Sequence, residues 1–240
     1  MDTRSRTMNA ELRERTLLVK TLVKNGVIEV TIAGGLLFGI AGRVDWPAAW
    51  LVMLLFTGHV VVSGWLLLRR DPELLKERLT TASNVPQWDR RIGRANRILS
   101  AVFLATAALD AGRFGWSVMP IIVRVSGTAA VVAAIGVVYW CAFANRFLSA
   151  RSRIQRERGH IVVQHGPYRF VRHPLYASRI VQIAGLALTL GSWIALVPAV
   201  LNALLLVLRT WLEDRMLTTE LPCYREYAKH VPERLVPGLW

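Results

Sequence analysis

The sequence predicts an all-α protein: a polytopic transmembrane helical bundle of five to six spans, with a C-terminal helical hairpin and both termini cytoplasmic. Three observations carry that expectation. Apolar residues make up 53% of the 240-residue chain and charged residues only 19%, against about 45–50% and about 25% in soluble domains. The apolar residues are gathered into six blocks. Lysine and arginine fill the connections between those blocks in a many–few alternation.

A membrane helix needs about 20 mostly apolar residues. Trp46–Leu68 meets this with no Lys, Arg, Asp or Glu. Val118–Leu148 meets it with Arg124 near its start, and Ser192–Leu212 with Arg209 near its end. Gly26–Gly42, which contains Glu29, Ile98–Gly115, which carries Asp110 and Arg113, and Leu175–Leu190 are shorter. If one of these is re-entrant, five spans remain. A tight turn at Thr189–Ser192 would fold the last two blocks into an antiparallel hairpin. Asn9–Lys24 mixes basic and apolar residues and is expected as an interfacial helix. Asp71 followed by Pro72 starts a short surface helix to Leu79, because Asp caps a helix and Pro suits its first position.

From the first tail to the last, successive connections hold six, one, eight, one, seven, none and four Lys or Arg. Basic residues collect on the cytoplasmic side of membrane proteins, which places both termini there. The formal charge of +14 therefore reflects orientation and contact with anionic membrane lipids, and no nucleic-acid partner is expected. Cys141 and Cys223 give neither a disulfide framework nor a metal-ligand spacing, so no metal is expected. The first sixteen residues are charged, and no signal peptide is expected there.

Ionisable groups at membrane depth are costly and default to function. Glu29, His59, Arg124 and Arg209 qualify. His59 has the bland alternative of a hydrogen bond to a neighbouring helix. Arg209 lies four residues before Glu213, on the same helix face, so a structural ion pair between them is its bland alternative. The densest chemistry lies in "HGPYRFVRHPLYAS", residues 165–178. Gly166–Pro167 interrupts any helix, Tyr168 and Tyr176 bring hydroxyls, and Arg172 and His173 precede Pro174. Proline at the first position of a helix leaves amide donors and the positive dipole end near a ligand. The stretch reads as an anion-binding collar at the cytoplasmic interface, with a solvated basic loop as the bland alternative.

Together, "HIVVQHGPYRFVRHPLY" and "RTWLEDRMLTTELPCYREY" resemble the isoprenylcysteine carboxyl methyltransferase family, which is related to the phospholipid N-methyltransferases. The resemblance runs from about Ile154 to Trp240. The apolar blocks make residues 1–150 an N-terminal part of an interfacial helix and about four spans, and the resemblance implies a C-terminal S-adenosylmethionine-binding core over 151–240. It further implies that His160, Val163, Tyr168, Arg172, His173, Pro174, Tyr176 and Glu213 bind the cofactor. Arg209 matches an arginine that faces the methyl acceptor, and Arg209 and Glu213 are the catalytic candidates. Asp214 replaces a second Glu of the family, Ser178 stands where Gly is common, and "ELPCY" replaces a Phe-Gly segment.

An arginine beside the reacting centre favours an anionic, lipophilic acceptor such as a prenylcysteine-type carboxylate. A phospholipid amine or a small thiol is the alternative. The tail "YREYAKHVPERLVPGLW" also resembles membrane sterol reductases that use NADPH, and a scaffold without catalysis is a further reading. The short chain favours a bacterial inner membrane.

Overall fold

The computed structural model describes residues 3–79 and 85–240, and all regular structure among them is helical. The helices are α1 (Thr3–Gly34), α2 (Pro47–Arg70), α3 (Pro72–Leu79), α4 (Gln87–Ala107), α5 (Ile121–Ala144), α6 (Pro174–Leu190), α7 (Leu196–Glu220) and α8 (Tyr224–His230). π-helical turns over Gly35–Gly39 and Ala108–Phe114 prolong α1 and α4. Five stretches are long and apolar enough to cross a membrane: Arg15–Gly39, Pro47–Arg70, Gln87–Phe114, Ile121–Ala144 and Leu196–Glu220. The sixth apolar helix, α6, has 17 residues and is roughly 26 Å long at about 1.5 Å per residue. The chain is an integral, multi-pass membrane protein.

Three boundaries differ from the sequence expectation. Asn9–Lys24 is not a separate interfacial helix, because α1 runs without a break from Thr3 to Gly34. Gly26, within that helix, packs inward, with its Cβ position 3.0 Å from Val60. The third span begins at Gln87 rather than Ile98, so Arg90, Arg91, Arg94 and Arg97 ride on α4 instead of filling a loop. The last span continues to Glu220, two turns past the apolar block, and carries Glu213 and Asp214 on helix.

The apolar core joins Leu37, Ala49, Val52, Phe103 and Ala107 to Ala187, Leu190 and Ala199, so it draws on helices from both sides of residue 150. α5 and α6 cross closely at Gly127. A Cβ there would lie 2.5 Å from Leu188 Cβ and 2.8 Å from the Gly185 carbonyl, so only glycine fits. His59 Nδ1 lies 3.1 Å from Tyr139 Oη, which ties α2 to α5. The α6–α7 hairpin closes as expected: the Gly191 and Ser192 amides donate to the Ala187 carbonyl.

A fully buried carboxylate, Asp110, clamps that hairpin. It accepts from the Ser117 amide at 2.8 Å, the Ser117 hydroxyl at 2.6 Å and the Ser192 hydroxyl at 2.5 Å. Asp71 caps α3 by accepting from the Leu74 amide at 2.8 Å, and Leu74 and Leu75 are buried beneath it. The starts of α4 and α6, the ends of α5 and α7, and helices α3 and α8 therefore gather at one end of the bundle.

Candidate active site

The connector between α5 and α6 is held by its own polar side chains. Asn145, just past α5, accepts from the Phe147 amide at 2.8 Å and donates to Tyr168 Oη at 3.1 Å. Gln155, fully buried, donates through Nε2 to the Phe147 carbonyl at 2.7 Å. Gly166 has φ +63°, and a Cβ there would sit 2.9 Å from Ala144 Cβ, so the turn needs glycine twice over. That turn, Gly166–Arg169, delivers the Tyr168 ring inward.

The C-terminal tail braces the collar. The amides of Arg172 and His173 donate to the Glu233 and Arg234 carbonyls, both at 2.9 Å. The amides of Tyr176 and Ala177 return to the His173 carbonyl. Most of the collar's donors are thus taken within the protein, which narrows the expected role of the α6 terminus as an anion trap.

These elements border an open cavity whose empty space, mouth included, is about 780 Å³. His160, Val163, Tyr168, Arg172, His173, Pro174, Tyr176 and Glu213 all border it. Arg209 does not: it stands behind the wall, its guanidinium 5.4 Å from the centre of the Tyr176 ring. It also makes no ion pair with Glu213. It donates through Nη2 to Asp89 on α4 at 2.7 Å, because a fully buried carboxylate on the facing helix outcompetes a partner one turn away.

Glu213 is instead held by hydroxyls. Tyr176 donates to its Oε2 at 2.6 Å, and Ser152 donates to the same oxygen. Oε1 has no hydrogen bond among the described residues and remains available to a ligand.

Asp214, next in sequence, faces away from that site. It accepts from Arg172 at 2.8 and 3.1 Å, from Arg234 at 2.9 Å and from Tyr224 at 2.8 Å, with His173 Nε2 at 3.3 Å. Arg172 spends the rest of its guanidinium on the Val231 and Pro232 carbonyls, both at 2.8 Å. Arg172 therefore borders the cavity as a fixed strut.

Burial holds the His160 imidazole below its ordinary value of 6.5, and the cations Arg153 and Arg158 push the same way. The ring stacks on Phe147 with centroids 4.6 Å apart. Its Nδ1 accepts from the Gln155 amide at 3.3 Å, which only a neutral ring can do, so Nε2 carries the proton. A group with a depressed folded value contributes stability above its unfolded value and loses it as pH falls through the folded one. Melting temperature should therefore fall as pH drops below about 6.5, and His160→Gln should flatten that slope in a melting series from pH 7.5 to 5. Burial likewise raises Tyr168, Tyr224 and Tyr227, which keep their hydroxyl protons at neutral pH.

Ser152, Asp89, Arg151 and Asn145 were not visible as site residues in the sequence. The signal for Asp89 was weak: one acidic residue in a basic run, at the foot of an apolar helix. Among the described residues no group of three or more His, Cys, Asp or Glu could hold a metal ion.

Fold and site together define a polytopic helical membrane protein with a polar-walled cavity at one end of its bundle. Residues 125–219 match the model of the isoprenylcysteine carboxyl methyltransferase (ICMT) family, which bears out the resemblance read from the motifs. The chain is also similar to the cobalt-zinc-cadmium resistance protein CzcN of Cupriavidus metallidurans, 31% identical over 140 residues, 57% of this chain and 59% of that one. It is 30% identical to the nickel-cobalt-cadmium resistance protein NccN of Alcaligenes xylosoxydans xylosoxydans over 146 residues, 59% of this chain and 62% of that one. The chain thus spans about six tenths of the curated relatives it matches.

Proposed function

We propose that the protein is an S-adenosylmethionine-dependent methyltransferase of the bacterial inner membrane. Its acceptor is a lipophilic anion, a prenylcysteine-type carboxylate by preference, met at the cytoplasmic face where both termini lie. One observation carries the reading: the collar from Tyr168 to Tyr176 and the acidic turn at Glu213 border the same cavity.

The cavity wall suits the cofactor chemically. Glu213 Oε1 accepts from amino or ribose hydroxyl groups. His160 Nε2–H and the protonated Tyr168 hydroxyl donate to a carboxylate. Val162, Val163 and Leu217 supply apolar surface that sheds water. When bound, S-adenosylmethionine supplies a methyl group already activated by its sulfonium, so the chain's own residues mainly position the partners and exclude water. Arg151 at the cavity lining, with Arg209 behind it, favours an anionic acceptor over an ammonium group. A carboxylate also needs no general base.

The test is a methyl-transfer screen of the purified protein in lipid, with radiolabelled cofactor against farnesylcysteine, phosphatidylethanolamine and small thiols. A base-labile methyl ester on farnesylcysteine is the expected product. Transfer only to the amine or the thiol would overturn the carboxylate assignment, and absence of any transfer or of adenosylhomocysteine binding would overturn the methyltransferase reading.

A further inference from the structure

Asp89 lies on α4, outside the stretch matched by the family and 120 residues from Arg209. It is fully buried. Its Oδ1 accepts from Arg209 Nη2 at 2.7 Å and from the Ser152 amide at 3.3 Å. Arg209 Nη2 also reaches the Ala150 carbonyl at 3.2 Å and Ser152 Oγ at 3.4 Å. Ser152 Oγ then donates to Glu213 Oε2, where the Tyr176 hydroxyl arrives as well. The contacts form one continuous line from the foot of α4 to the carboxylate that faces the cavity.

The shape of the Asp89–Arg209 pair separates it from a simple structural bridge. Arg172 meets Asp214 with a two-pronged fork, 2.8 and 3.1 Å, the geometry that makes such pairs strong. Arg209 meets Asp89 through one nitrogen. Asp89 Oδ2 and Arg209 Nε are both buried without a hydrogen bond, and Arg151 Nη1 stands off Oδ2 at 3.8 Å. The closed fork has been given up. In exchange, Asp89 Oδ1 accepts from the Ser152 amide, and Arg209 Nη2 donates to the Ala150 carbonyl and to Ser152 Oγ.

We propose that Asp89 is a positioning residue for the cofactor site: with Arg209 it fixes Ser152, whose hydroxyl occupies Glu213 Oε2 and leaves Oε1 directed to the ligand. Asp89 does not touch the ligand and acts only through Ser152. The inference rests on the methyltransferase reading, and it gives the N-terminal helices a part in a site that the motifs confine to the C-terminal third.

The test is calorimetric titration of S-adenosylhomocysteine into the purified protein, with melting curves alongside. Binding by the wild type upholds the functional reading, and no binding removes both reading and inference. Given binding, Asp89→Asn should weaken affinity about tenfold, and in a Ser152→Ala background the same substitution should weaken it less than about threefold, since coupled positions do not add. An Asp89→Asn protein that binds within twofold of wild type overturns the proposal. So does an equal loss in both backgrounds, the mark of a purely structural effect. If Asp89→Asn alone does not fold, Asp89→Asn/Arg209→Gln removes both charges together. It should show the same tenfold loss and the same insensitivity to Ser152→Ala, and wild-type affinity in that protein overturns the proposal equally.

Discussion

Asp214→Ala should cost about 3–5 kcal/mol of stability, because it strips the partner from a buried guanidinium. Arg172 is 5% exposed and its fork has no second carboxylate to turn to. Tyr224 and Arg234 lose their acceptor in the same step. A melting curve in detergent is the measurement, read by near-ultraviolet circular dichroism, which follows aromatic packing across the fold. The substitution should release α8 and the 231–235 tail before the spans, so a fluorophore on Cys223 should report a transition below that of the bundle. An unchanged melting temperature would mean that the Asp214 cluster holds nothing together.

Glu213→Gln should do the opposite. The amide keeps the shape of the side chain, and the hydroxyls of Tyr176 and Ser152 can still donate to its oxygen. What disappears is the charge at Oε1. A hydrogen bond to a charged group is worth about 1.5–3 kcal/mol, so affinity for adenosylhomocysteine should fall by roughly one to two orders of magnitude. The melting temperature of the ligand-free protein should stay close to wild type. Intact affinity in this variant would remove Glu213 from the site. The two substitutions differ by one position on one helix, and the contrast follows from about 100° of rotation per residue: Glu213 faces the cavity while Asp214 faces the tail.

The apolar blocks and the motif residues were legible because each rests on local information. Twenty apolar residues identify a span whatever surrounds them, and Tyr168, His173 and Glu213 stand in a recognisable order. The partner of Arg209 was not legible. Spacing within α7 puts Glu213 one turn away, but the choice of partner is made between helices, and Asp89 on α4 presents a carboxylate shut off from water. In the sequence Asp89 looks like one more surface charge beside Arg90 and Arg91. The role of Arg172 was hidden for the same reason, since its partners lie 42 to 60 residues downstream. The start of α4 was misplaced because hydropathy sees only the buried part of a helix, whereas α4 keeps its hydrogen bonding through two basic turns.

The strap that runs from Val231 to Arg234 beneath the collar bears on the order of synthesis. Its carbonyls, which hold Arg172 and His173, leave the ribosome some sixty residues after those side chains do. α7 ends at Glu220, so at about 5–20 residues per second every membrane helix is made at least about half a second before the strap that braces the collar begins. A message cut short beyond α7 would therefore yield a product that sits in the bilayer and competes for lipid contacts, yet never acquires a closed chamber.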